Sequence, residues 1–184
     1  MTKPAEQDIK DVEQEQMKEF CAAVGELILW ANLIDGQLNR ALVGMMALPE
    51  HAMIEPIVAQ LDARAKAELL KRRAKIITNT DWRNRIKNWV ERTEKVSGKR
   101  NIVAHHSIRV AEGKILLHSD QLRNIIAGLE TTGNTIKAGE SKGLADIKEW
   151  IEQAKAAFDE GQNVVMNLDR FREVALAKLN VSKA

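Results

Sequence analysis

From Met17 to Met45, apolar residues recur at every third or fourth position: Met17, Phe20, Val24, Leu27, Ala31, Ile34, Leu38, Ala41 and Met45. On a helix of 3.6 residues per turn these steps fall on one face, so the pattern predicts an amphipathic helix. It should run from about Gln7 to Leu48 and stop at Pro49. A second helical region is expected from about Ala52 to Ile77, with Ile54, Ile57, Val58, Leu61, Leu69 and Leu70 inward. Pro56 starts or kinks part of it. Thr80 or Asp81 then offers an N-cap for a third helix, which carries Trp82, Ile86, Trp89, Val90, Val96 and Val103 on its apolar side.

After His106 the period changes. "SIRVAEGKILLHS" holds two short β-prone runs around Glu112-Gly113, which predicts a hairpin over 107–118. Helical spacing resumes near Asp120, breaks around "KAGESKG" and runs again from about Leu144 to Leu179. Leu144, Ile147, Ile151, Ala154, Phe158, Val165, Leu168 and Ala175 form its stripe. No linker composition and no repeat of 20–50 residues interrupts the chain. The expected fold is all-α: one domain over 1–184, an up-and-down bundle of four to five helices with a small β-hairpin, residues 1–8 forming a flexible N-terminus.

Composition agrees with helices, with no Tyr and 3 Pro in 184 residues. The N-terminal "MTKPAEQDIKDVEQEQ" has no apolar core of a signal peptide, and runs such as "LILWANLI" are too short to span a bilayer. A cytoplasmic protein with no membrane partner is therefore expected. The lone thiol, Cys21, lies in an apolar run and is expected to fill core space.

Charge is uneven although the net is +2. Residues 1–50 carry 4 basic and 9 acidic side chains, whereas residues 63–100 carry 13 basic and 4 acidic. Such a surplus attracts polyanions, or else forms a solvated face against the acidic first helix.

The basic stretch leads into "KRNIVAHH", Lys99 to His106. With 12 Arg and 4 His in the chain, an Arg followed four to six residues later by His is expected about 0.8 times by chance. Requiring Asn after Arg and His at the fifth position lowers this to about 0.014. The dipeptide Arg-Asn occurs at Arg83-Asn84, Arg100-Asn101 and Arg123-Asn124, yet only the middle copy has a histidine in reach. On a continuous helix Asn101 and His105 share a face, but Arg100 and His105 lie about 140° apart. They meet only if the helix end unwinds or a second copy joins across a two-fold axis. Their chemistry is complementary. Imidazole takes a proton from a ribose 2′-hydroxyl or gives one to a leaving 5′-oxygen, and guanidinium stabilises charge building on phosphorus. No metal or cofactor is required.

At these residues the chain resembles the HEPN superfamily, whose signature is Arg–polar–three or more residues–His at the end of a helix in a small all-α domain. "ILWANLIDGQLNRAL", Ile28 to Leu42, is also similar to the first long helix of some bacterial relatives, with Trp30 and Asp35 at their Trp-and-acid positions. The resemblance implies a homodimer with a composite site and metal-independent RNA cleavage. It assigns Arg100 and His105 catalytic roles and Asn101 a positioning role. It also implies a toxin or phage-defence effector, restrained in some relatives by an antitoxin or other regulatory protein. Other relatives are inactive nucleotide-binding or interaction modules, and such a non-catalytic helical module is the alternative here. His106 departs from the small residue usual at its place.

His106, Lys99 and Arg92 are candidate substrate contacts. The competing account of Arg100, Asn101 and His105 is a helix C-terminus whose basic groups cap carbonyls and oppose the dipole. Trp82 and Trp89, seven apart, either stack on bases or, more usually, pack in a core or dimer interface. His51 and His118 stand alone in the sequence and receive no role.

Overall fold

The structure, a computed structural model, describes residues 4–48, 54–111, 113–118 and 141–181. Five helices and one hairpin make up these residues: α1 (Pro4–Met45), α2 (Ile54–Ala59), α3 (Ala63–Ala74), α4 (Thr80–His105), β1 (Ser107–Ala111), β2 (Lys114–His118) and α5 (Leu144–Val181). The all-α fold with a small β-hairpin is as expected.

The periodic stripes are the buried faces. On α1, Phe20, Leu27, Ile34, Leu38, Ala41 and Met45 are buried; on α5, Ile147, Ile151, Ala154, Val165 and Leu168 are. Helix α1 begins three residues before the expected Gln7. It ends in a Schellman turn rather than at Pro49: Ala47 adopts φ 50°, the Leu48 N–H donates to Val43 O and the Ala47 N–H to Gly44 O.

Several local expectations are corrected. The single helical region expected over 52–77 is two helices, because Asp62 is extended and its carboxylate accepts from the Ala65 N–H at 2.7 Å, starting α3 afresh. Pro56 sits in the first turn of α2, where its missing N–H costs no helical bond. The cap of α4 is Asn79 and not Thr80 or Asp81: its side-chain oxygen accepts from the Trp82 N–H at 3.0 Å. Cys21 is exposed, since Phe20 beside it takes the inward position. Ile57 is exposed as well, while its neighbour Val58 is buried. The helical pattern expected from Asp120, including Arg123-Asn124, lies outside the described residues.

The chain forms two compact units, whose boundaries fall inside α1, α4 and α5. One comprises the described residues of Leu29–Gly98 and Gln153–Ala184. Its core gathers Leu38, Leu42, Leu70, Ile86, Trp89, Val90 and Val164, with Trp89 wholly buried. The Trp89 Nε1–H donates to Ala157 O at 3.0 Å, which satisfies the indole in the core. Two glycines allow close packing here. A Cβ on Gly44 would lie 3.0–3.2 Å from Leu168 atoms, including its backbone carbonyl. A Cβ on Gly161 would lie 2.2 Å from Gln37 Oε1 and 2.7 Å from Trp89 Nε1.

The other unit comprises the described residues of Met1–Ile28 and Lys99–Glu152. Its buried residues include Phe20, Leu27, Val103, Ile115, Leu117, Ile147 and Trp150. Ala111 pairs with Lys114 across a two-residue turn in which Gly113 takes φ 68°, a conformation that costs glycine little. That turn fixes the register through to Ser107 opposite His118. The far edge of β2 is engaged by an antiparallel bridge between Leu117 and Lys142.

Candidate active site

Helix α4 delivers the motif. Its inward positions step from Ile86 through Trp89, Val90, Thr93 and Val96 to Val103, all buried. Between Val96 and Val103 the inward slot falls to Lys99, which is half-buried, with its ammonium 5.7 Å from the Trp150 ring centroid. This stacked cation takes the place of an apolar residue in the stripe. Nothing in the local sequence announced it, because Trp150 is supplied by α5.

Arg100, Asn101 and His105 are all exposed. Arg100 Nη1 donates to Asn101 Oδ1 at 3.3 Å, so the amide oxygen serves the neighbouring guanidinium. Among the described residues no carboxylate pairs with Arg100. Helix α4 remains α-helical to His105 and bends at His106. The five-residue step from Arg100 to His105 is therefore made on an unbroken helix, and the two side chains leave the axis about 140° apart. Unwinding, one of the two ways to bring them together, does not occur within this segment.

His106 is half-buried, and its Nδ1 is buried without a hydrogen-bond partner among the described residues. The remaining candidate contacts are engaged within the chain. Lys99 lies over Trp150, and Arg92 Nη1 is 3.0 Å from Glu160 Oε2. Trp89 takes the core role of the two weighed for it; Trp82 is half-buried against the same core, with Arg85 5.7 Å from its ring centroid.

The basic surplus is likewise partly spent. Lys66, only 1% exposed, is held at 2.8 Å by both carboxylate oxygens of Asp35. Lys71 meets Glu94 at 2.5 Å, and Arg72 meets Glu68 at 3.6 Å. Arg64, Arg73, Lys75, Arg85, Lys87 and Lys95 remain exposed. Among the described residues no group of three or more His, Cys, Asp or Glu is arranged to hold a metal. None of their helices is long and apolar enough to cross a membrane.

Cavities occur elsewhere. One of about 670 Å³ is lined by Leu33, Gln37, Phe158, Met166 and the Arg40–Asp169 ion pair. Another, of about 310 Å³, is largely apolar, with Ile76, Trp82 and Phe171 in its wall. Among the described residues neither is lined by a histidine.

One residue passed over in the sequence stands close to the motif. The hairpin register sets His118 opposite Ser107, the residue after His106. The signal was available, since a two-residue turn after Ala111 pairs positions whose numbers sum to 225, and 107 therefore faces 118. Compared with protein-family models, curated proteins and solved structures, the chain matches none.

Proposed function

We propose that the chain is a metal-independent endoribonuclease of HEPN type, acting as a homodimer in the cytoplasm. Arg100 binds and stabilises the scissile phosphate, His105 moves the proton, and Asn101 steadies the Arg100 guanidinium. The observation that carries this reading is the state of the motif. Arg100 and His105 stand exposed on the last turns of α4, and the Arg100 guanidinium is held only by its neighbour Asn101 among the described residues. A helix end built for capping would fold such groups onto its own carbonyls. Because the unbroken helix keeps them about 140° apart, a complete site draws Arg100 from one copy and His105 from another. The RNxxxH resemblance supports the same assignment, and a toxin or phage-defence role with a restraining partner follows from it.

The test is cleavage of mixed single-stranded RNA with EDTA present, comparing the wild-type chain with Arg100→Ala and His105→Ala. The expected result is cleavage that survives chelation, is lost in both variants and leaves cyclic phosphate ends. Mixing the two inactive variants should restore part of the activity, since one shared site in the mixed dimer keeps both groups. Three equally folded and equally inert proteins would sink the enzymatic reading and leave the non-catalytic helical module. Sedimentation showing a monomer at assay concentration would remove the composite site.

A further inference from the structure

Cleavage of a phosphodiester without a metal requires two proton transfers, one from the attacking 2′-hydroxyl and one to the departing 5′-oxygen. The motif supplies one exposed imidazole, His105. The hairpin supplies a second imidazole, the half-buried His118. Ser107 and His118 are directly paired across the two strands, and Ser107 Oγ donates to His118 O at 3.5 Å. Paired Cα atoms lie about 4.5–5.5 Å apart and successive ones about 3.8 Å. His118 is thus within about 9 Å of His106, Cα to Cα, although twelve positions separate them in the chain.

Side-chain alternation places His118, Ser107 and Arg109 on one face of the hairpin. Ile108, Val110, Ile115 and Leu117 take the other, on which Ile115 and Leu117 are buried. Arg109 is the diagonal neighbour of His118, about 7–8 Å away at the backbone. His118 Nδ1 lies 3.5 Å from Ser141 Oγ, a long contact, so Nε2 is the ring nitrogen assigned to proton exchange below.

We infer that His118 is a second catalytic residue, the general acid of the cleavage proposed above; the inference rests on that reading. In the step, neutral His105 takes the proton of the ribose 2′-hydroxyl as the 2′-oxygen bonds to phosphorus. The bond from phosphorus to the 5′-oxygen breaks, and the imidazolium of His118 gives its proton to that oxygen. The products are a 2′,3′-cyclic phosphate and a 5′-hydroxyl. Water then exchanges a proton off His105 and onto His118, so no oxidant, reductant or metal is consumed.

The test uses the full chain with two substrates: a short RNA, and uridine 3′-(4-nitrophenyl phosphate), whose leaving group departs without a proton. His118→Ala and His118→Gln should each slow RNA cleavage by about 10²- to 10⁴-fold and abolish the alkaline limb of the pH–rate profile. Both should recover most of the wild-type rate on the nitrophenyl ester, whereas His105→Ala should not. A merely structural role for His118 would slow both substrates alike. Wild-type rates and profile in both His118 variants, with Arg100→Ala inactive, would overturn the acid assignment and leave the endoribonuclease reading standing. Rescue of His105→Ala in place of the His118 variants would also overturn it, by reversing the roles. An inert wild-type chain overturns both.

Discussion

Two arginines on one helix, each followed by asparagine, meet opposite fates. Arg83, in the first turn of α4, is half-buried and reaches the carbonyl of Ile77 and the hydroxyl of Thr80, at 3.5 and 3.4 Å. Arg100, near the other end, is exposed and among the described residues bonds only to the one beside it. A cation at a helix N-terminus opposes the dipole and gains by turning to carbonyls outside the helix. One near the C-terminus is already favourably placed and can keep its donors for a ligand. The same contrast runs through the whole basic stretch, in which Lys66, Lys71 and Arg92 are committed to carboxylates. Counting positive residues therefore overstates the charge available to a polyanion, and position along the helix is the better guide.

The contrast is broken most directly by exchanging the two arginines' fates. Arg100→Ala should lower RNA cleavage by about 10³-fold, roughly 4 kcal/mol of transition-state stabilisation, with the thermal midpoint unmoved. Arg83→Ala should leave the rate per folded molecule unchanged. Parallel kinetics and melting curves check both, and a rate loss of equal size in the two variants would erase the distinction.

Next in size is Asp35→Ala, which strands the ammonium of Lys66 in the core. It should cost about 3 kcal/mol in urea unfolding, toward the low side for a buried pair because the Asp35 side chain is 41% exposed. Replacing Lys66 by Met in the same background should return much of that loss. Gly161→Ala follows at about 2 kcal/mol, since the methyl would overlap Gln37 Oε1 and crowd the Trp89 indole. Calorimetry reads this one, and an unchanged midpoint would show that Gln37 can move aside. Smallest is Arg92→Ala: its pair with Glu160 is more than half exposed on the arginine side and should be worth under about 1 kcal/mol. If Arg92 instead binds RNA, its removal would flatten the salt dependence of binding by about one phosphate contact.

The fold was legible where local periodicity decides burial. The stripes of α1 and α5 and the two-residue turn after Ala111 could be read directly. Legibility failed where the deciding partner is distant in sequence. Lys66 follows the buried phase of Ala67, Leu70 and Ala74, yet a lysine reads as solvated until Asp35 is seen to meet it. Lys99 in the inward slot likewise depends on Trp150. Cys21 failed for a different reason, since an apolar neighbourhood does not say which of two adjacent residues turns inward. Arg100, Asn101 and His105 could be named from the sequence, whereas the pairing of His118 with Ser107, the residue after His106, required the hairpin register.

Gly44 carries a consequence of another kind. The backbone of Leu168 lies against its Cα so closely that a methyl group would meet carbonyl carbon and oxygen at 3.1 and 3.2 Å. Neither residue belongs to the proposed site. Under random mutagenesis with selection for folded protein, position 44 should nevertheless be among the least tolerant in the chain, and during divergence it should stay fixed while its surface neighbours drift. Invariance at that glycine would record the distance between two backbones and say nothing of what the protein does.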